Sequence, residues 1–150
     1  MTLLRFWWVT ICLVSFGANA EEPVDQAFDK DLLVIVARDA CHRFDIYLAL
    51  NREQQRRGLM RVRNLPASTG MLFVYANEDS HSMWMKNTFI PLDILFATSD
   101  GSVVSIAKNT VPQSLESIGS TEPVMFVLEL NAGTTERLAI EPGSQLIWEH

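Results

Sequence analysis

Residues 93–107, which read DILFATSDGSVVSIA, carry the clearest structural signal in the chain. Two apolar runs flank Asp100-Gly101, and both of these residues tolerate the positive φ angles of a two-residue type I′ hairpin turn. That turn predicts four cross-strand pairs: Ile94 with Ala107, Leu95 with Ile106, Phe96 with Ser105 and Ala97 with Val104. Because both faces of this ribbon carry apolar side chains, we expect a central, well-buried β-hairpin.

Other short segments show the composition or the two-residue period of strands. The predicted strands outside the hairpin are Leu32–Ala37, Phe44–Leu50, Met71–Tyr75, Met83–Met85, Val124–Leu130, and Arg137–Ile140 paired with Gln145–Trp148 across a Pro142-Gly143 turn. Asn51 is a typical helix N-cap and Gly58 a typical helix end, which predicts one short helix over residues 52–57. The pattern predicts an α+β, mostly β fold, either a compact antiparallel β-rich sandwich or a partly open barrel.

The first 20 residues have the three-part layout of a secretory signal peptide. Arg5 supplies a positive charge, residues 6–16 form an apolar run, and Ala18-Asn19-Ala20 offers a cleavage site. The apolar run is shorter than the roughly 20 residues that a membrane span requires, and we expect no integral membrane segment after cleavage. We expect residues 1–20 to be cleaved, residues 21–31 to be a mobile N-terminal segment and residues 32–150 to form a single domain. The expected location is periplasmic or secreted.

The chain is acidic, with 12 Lys and Arg residues against 18 Asp and Glu residues. Nucleic acids select clustered Lys and Arg, so this balance argues against a nucleic-acid partner. Cys12 lies in the predicted signal peptide, which leaves Cys41 as the single thiol and predicts no disulfide. Cys41 and His42 would point to opposite faces of a strand, which disfavours a catalytic thiol. We expect a monomer that binds a small ligand or an envelope protein.

Six segments, in order, resemble the domain-of-unknown-function family number 192, and together they extend from about residue 33 to 148. They are Gly58–Met60, Leu65-Pro66, Gly70–Val74, Trp84–Thr88, Ile90–Phe96 and Val127–Gly133. The resemblance implies a compact, β-rich α+β domain, often exported, with no assigned activity. The chain departs from the family pattern at Arg61-Val62-Arg63, where an aromatic-Arg pair is usual, and at His81-Ser82-Met83.

Polar side chains interrupt apolar segments around Trp84, and they would be costly to bury without partners. The candidate binding residues are Trp84, Lys86, Asn87, Asp93 and Glu129. One interpretation is a buried structural network among Lys86, Asp93 and Glu129. The other is a groove at which Lys86 holds an anion and a carboxylate acts as a general acid or base.

Two further clusters carry weaker signals. Arg52 and Arg56 share one face of the predicted helix and Arg57 follows, which is typical either of a solvated face or of an anion site. His81, Met83 and Met85 would share one face of a strand, and imidazole and thioether ligands suit Cu(I). Methionine more often fills gaps in a core, and we expect no other cofactor.

The chain contains no nucleophile elbow, paired-histidine zinc motif or phosphate-binding glycine loop, so an enzyme is the less favoured class. The favoured interpretation is an exported accessory or binding module of the cell envelope with a groove around the Trp84–Asn87 segment. Two alternatives stay open. One is a small envelope hydrolase that uses Lys86, Asp93 and Glu129, and the other is a periplasmic Cu(I)-binding protein that uses His81, Met83 and Met85.

Overall fold

The computed structural model describes residues 23–38 and 40–149, and the predicted signal peptide with Cys12 lies outside these ranges. Three short helices occur within them: α1 (Val24–Ala27), α2 (Arg52–Arg57) and α3 (Thr134–Arg137). The strands within the same ranges are β1 (Asp29–Ala37), β2 (Ala40–Ala49), β3 (Thr69–Asp79), β4 (Ser82–Met83), β5 (Leu92–Ala97), β6 (Val103–Ala107), β7 (Ile118–Gly119), β8 (Val124–Asn131) and β9 (Gln145–Ile147). The predicted mostly β fold and the helix over residues 52–57 are confirmed.

Seven strands form one sheet in the order β6-β5-β8-β3-β2-β1-β9, and β4 pairs with β7 in a separate small sheet. The expectation of a wholly antiparallel sheet is wrong at one place, because β2 and β3 run parallel, with Ile46 opposite Gly70. A parallel pair requires a crossover connection. Here α2 and residues 58–68 make that crossover.

The two edge strands of the sheet meet at one end, so the fold is a partly open barrel rather than a sandwich. The Val103 amide donates to the Ser144 carbonyl (2.9 Å), and the Leu146 amide donates to the Gly101 carbonyl (2.8 Å). Gly101 has a φ of +83°, and an added Cβ would collide with the carbonyl oxygen of Leu146. Glycine at this position therefore permits the close approach of the two edges.

The curled sheet has an apolar core on each face. All seven strands contribute to the inner core, which includes Leu33, Phe44, Leu72, Leu95 and Leu128. The outer core contains alternate strand residues such as Phe73, Ile94 and Phe96, together with Phe28, Leu59, Leu65 and Met85 from the segments that cover the sheet. Burial on both faces explains why β5 is a continuous apolar run apart from Asp93.

The hairpin that we expected at residues 93–107 is present, with one difference in register. The pairs Ile94 with Ala107, Leu95 with Ile106 and Phe96 with Ser105 are confirmed, but Ala97 lies opposite Val103. The Thr98 amide donates to the Ser102 carbonyl (3.0 Å), which leaves three residues in the loop instead of two. A three-residue loop that ends in a glycine of positive φ introduces a bulge, and this bulge moves the last pair by one residue.

Two further sequence expectations differ from the structure. Residues 137–140 form the end of α3 and the turn after it, because an acid on β5 satisfies the amide of Thr135 at the start of that helix. The Pro142-Gly143 turn therefore follows a helix rather than a strand. The first strand also begins earlier than expected, because β1 starts at Asp29 rather than at Leu32. Helix α1 and the buried Phe28 precede it within residues 21–31, and the mobility of that segment stays a prediction.

Within residues 23–38 and 40–149, no helix has the length and apolar character needed to cross a membrane. Cys41, the thiol of the expected mature domain, is exposed and free. His42 pairs with Ile35 and Cys41 with Val36, so the two neighbours alternate along β2 as expected.

Candidate functional site

Glu129 lies in the middle of β8 and points to the outer face of the sheet. Its neighbours Leu128 and Leu130 belong to the inner core, while Glu129 lies opposite Met71 on β3 and Ile94 on β5. Only 4% of the residue is exposed, and the Oε2 atom has no hydrogen-bond partner among the described residues. An unpartnered buried carboxyl oxygen costs free energy, so its retention calls for an explanation.

Glu129 lines a small cavity of about 80 Å³, which we call the Glu129 pocket. Phe73 and Tyr75 of β3, Met83 of β4 and the following Trp84 contribute its aromatic and thioether walls. Arg56 and Arg57 of α2 also line it, as do Leu59 and Thr88. The pocket is therefore bounded by the sheet on one side and by two covering segments, residues 55–60 and 82–88, on the other.

Specific hydrogen bonds hold the two covering segments in place. The side chain of Asn51 accepts from the amides of Glu53 and Gln54 and caps α2. Gln55 Nε2 donates to the Val74 carbonyl (2.8 Å), which fixes α2 against β3. The Arg61 amide donates to the Asn87 carbonyl (2.8 Å) and joins one covering segment to the other.

Burial controls the protonation of the acids in the pocket. Burial raises the pKa of Glu129 to about 8 from an ordinary value of 4.5, so the carboxyl is mostly neutral at pH 7. Burial, and secondarily the charge of Glu129, raises the pKa of Tyr75 to about 12. At neutral pH the pocket thus presents two O–H groups rather than two anions.

Tyr75 links the pocket to His81. The two rings are stacked, with centroids 3.5 Å apart, and Tyr75 Oη donates to Met83 Sδ (3.7 Å). His81 Nε2 is buried and has no hydrogen-bond partner among the described residues. His81 and Met83 therefore both contact Tyr75 rather than forming an independent cluster.

Three basic side chains lie in or near the wall of the Glu129 pocket: Arg56 and Arg57 line it, and Lys86 contacts the lining residue Trp84. Lys86 Nζ lies 4.9 Å from the centre of the Trp84 ring, in a cation–π contact, and Trp84 is 46% exposed. The guanidinium of Arg57 lies 5.4 Å from the centre of the Phe28 ring. Arg52, the third member of the predicted anion patch, is exposed at the start of α2 and does not line the pocket.

Asp93 does not take part in this site. It lies opposite Leu130, one position before the Ile94–Glu129 pair, so the side chains of Asp93 and Glu129 point to opposite faces of the sheet. Its Oδ1 accepts from the Asn109 amide (2.9 Å), and its Oδ2 accepts from the amide (2.9 Å) and hydroxyl (2.7 Å) of Thr135. The structure therefore does not assemble the network of Lys86, Asp93 and Glu129.

Asn87 and Met85 have structural positions beside the pocket. Asn87 has a φ of +55° in the turn closed by the Thr88 amide and the Met85 carbonyl (3.0 Å), and asparagine tolerates that conformation. Met85 is fully buried, and its Sδ accepts from the Thr110 hydroxyl (3.2 Å). Of the predicted strand Met83–Met85, only Met83 lies in a strand, β4, because this turn follows directly.

No group of three or more His, Cys, Asp and Glu side chains that could hold a metal ion occurs in the part of the chain that the structure describes. The Cu(I) interpretation, which also depends on methionine ligands, stays a prediction.

A larger groove of about 750 Å³ lies beside β1 and β2, and several of its ionisable groups have partners. Lys30 pairs with Asp25 (2.6 Å), Tyr47 donates to Asp25, and Trp148 Nε1 donates to Asp31 (2.8 Å). The Glu129 pocket is smaller, yet it contains the unpartnered buried acid. It is therefore the stronger candidate for a binding site.

The comparisons with known proteins place the chain in a family. The model of the DUF192 family, described as an uncharacterized ACR, matches residues 33–148, and the chain belongs to this family. Four of the six segments that carry the resemblance contribute residues to the Glu129 pocket, namely Gly58–Met60, Gly70–Val74, Trp84–Thr88 and Val127–Gly133. No curated protein matches the chain.

Two solved structures resemble it closely. A Novosphingobium aromaticivorans protein of unknown function is 33% identical, with a TM-score of 0.81, over 94% of this chain and all of that one. A Sinorhizobium meliloti protein, described provisionally as a transcription regulator, is 41% identical, with a TM-score of 0.79, over 80% of this chain and 94% of that one.

Proposed function

We propose that the protein is an exported binding module of the cell envelope, and that its ligand inserts one polar end group into the Glu129 pocket. The observation that carries this proposal is the buried, unpartnered Oε2 atom of Glu129, a residue that lines the pocket. A bound polar group would give this oxygen the hydrogen bond that it lacks. The pocket combines apolar and aromatic walls with a small set of polar groups, among them Glu129, Tyr75 and Arg56, which is typical of sites for small ligands.

Binding is favoured over catalysis because only one carboxyl group lines the pocket. The hydrolase alternative needs Asp93 beside Glu129, but Asp93 lies on the inner face of the sheet with three hydrogen bonds of its own. Tyr75, with a pKa near 12, remains protonated at neutral pH. The pocket therefore offers hydrogen bonds and aromatic contact rather than a pair of acids or bases.

Export is the second part of the proposal, and it rests on the signal-peptide pattern of residues 1–20. Expression of the full chain with a C-terminal tag in a bacterium with two membranes should yield a shortened product in the periplasmic fraction. Sequencing of its N-terminus should give Glu21 as the first residue. A full-length product that stays in the cytoplasm would contradict export but would leave the pocket unaffected.

The pocket can be tested before its natural ligand is identified, because Trp84 lines it and reports on binding. The indole N–H resonance of Trp84, assigned by its loss in Trp84→Phe, should shift when small carboxylates, amides or amines are added one class at a time. At least one class should produce a saturable shift that is lost in Glu129→Leu, which removes the carboxyl group from the pocket.

Trp148 provides an internal control in the same spectra, since its indole N–H donates to Asp31 (2.8 Å) in a different part of the molecule. Its resonance should stay in place. If Trp84 responds to no class, or responds identically in the wild type and in Glu129→Leu, the Glu129 pocket is not a ligand site.

A further inference from the structure

The geometry points to a carboxylate as the end group that the Glu129 pocket accepts, an inference that rests on the function proposed above. It follows from the positive charges near the pocket, from the protonation of the Glu129 carboxyl and from the size of the cavity.

The mouth of the pocket attracts anions although the chain as a whole has a net charge of −6. Arg56 lines the pocket, and Lys86 Nζ lies over the ring of the lining residue Trp84; neither forms an ion pair with an acid among the described residues. Arg57 adds a third cation to the wall. A ligand ammonium group would approach against these charges, whereas a carboxylate would approach with them.

The Glu129 carboxyl can bind an anion only when it carries its proton. A neutral carboxyl group can donate its O–H to a ligand carboxylate, and such hydrogen bonds to an ionised acceptor are the stronger kind. The groups that face Glu129 do not oppose this arrangement: Tyr75 on β3 remains a phenol, Arg56 and Arg57 on α2 are cationic, and Met83, Trp84 and Thr88 are uncharged. The imidazole of His81 lies behind Tyr75.

The size of the cavity limits what can enter. One water occupies roughly 30 Å³ of liquid, so about 80 Å³ holds two or three heavy atoms. A carboxylate group has three heavy atoms, one carbon and two oxygens. The half-exposed ring of Trp84 lies beside the mouth, where it can pack against the carbon chain that bears the carboxylate.

Acetate is the direct probe, and the Trp84 indole resonance reports its binding. Acetate should shift this resonance saturably at pH 7, and its affinity should fall about tenfold between pH 7 and pH 9, because a carboxyl with a pKa near 8 loses its proton over that range. Glu129→Gln keeps an N–H donor at the same place, so this variant should bind acetate with an affinity that no longer depends on pH. Arg56→Gln and Lys86→Gln should each weaken binding several-fold.

Arg52→Gln is the matched control, because Arg52 lies on the same helix but outside the lining of the pocket. It should leave the affinity for acetate within a factor of about two of the wild-type value, as expected for a screened charge.

Methylammonium, acetamide and inorganic phosphate complete the series of probes. If one of these shifts Trp84 in a Glu129-dependent manner and acetate does not, the carboxylate assignment is overturned while the binding site stands. If acetate binds more tightly at pH 9 than at pH 7, the assignment is also overturned. If nothing in the series shifts Trp84, both proposals fail.

Discussion

Replacing Asp93 by alanine should lower the free energy of unfolding by about 4 kcal/mol, the largest loss that we expect from one substitution. The Asp93 carboxylate is fully buried and accepts three hydrogen bonds, one from Asn109 and two from Thr135. Alanine would leave two backbone amides and a hydroxyl without this partner, and the two Thr135 donors among them are buried. Urea unfolding followed by circular dichroism would measure the loss.

The pattern of related variants distinguishes this explanation from a general intolerance of the position. Asp93→Asn keeps one acceptor oxygen and should lose about half as much stability. Thr135→Val removes one hydroxyl donor and should cost about 1 kcal/mol. Asp79→Ala, at an exposed site on β3, should have little effect. An Asp93→Ala protein that unfolds at the same urea concentration as the wild type would show that the carboxylate does not hold α3 to β5.

Glu129→Gln should remove a strong dependence of stability on pH. The pKa of Glu129 is raised from 4.5 to about 8 in the folded protein, so the folded state holds a proton that the unfolded state releases. The resulting stabilisation is complete below pH 4.5 and is lost as the pH rises to about 8, at roughly 1.4 kcal/mol per pH unit. Glutamine stays neutral throughout. At pH 9 the variant should therefore exceed the wild type in stability by about 5 kcal/mol.

The difference in unfolding free energy between wild type and variant at pH 5, 7 and 9 isolates this effect. The exposed acids Asp25, Asp31, Glu78 and Asp100, whose pKa values are lowered by hydrogen bonds, contribute equally to both proteins and cancel. Glu122→Gln, at an exposed position, serves as the control and should follow the wild type. Parallel profiles for the wild type and Glu129→Gln would mean that the Glu129 carboxyl is well solvated when ionised.

The features that were predictable from the sequence are those with local causes. The cap at Asn51 and the stop at Gly58 set the bounds of α2 correctly, because both act within a few residues. Most of the β5–β6 register followed from one turn. The missed bulge needed one further local fact, namely that Gly101 ends a three-residue loop.

The candidate site was only partly predictable because its parts come from distant segments. Glu129, Trp84 and Lys86 stood out as polar or aromatic groups in apolar runs, and Glu129 and Trp84 do line one pocket. Asp93 stood out for the same reason, yet its partners lie 16 and 42 residues away and make it a structural group. No feature of the sequence marks Tyr75 as a residue of the site. Its role depends on β3 lying beside β8, and no local pattern reveals that pairing.

Because β2 and β3 are parallel, the connection between them crosses over the sheet, so the strands form the barrel while the connection covers the pocket. The stretch that begins at Arg52 and ends at Asn64 supplies no strand to the barrel, yet it forms the roof over Glu129. Substitutions in this stretch can therefore change the ligand that is bound without rebuilding the sheet beneath it. An engineer who wishes to retarget the molecule would randomise the roof first and leave the sheet alone.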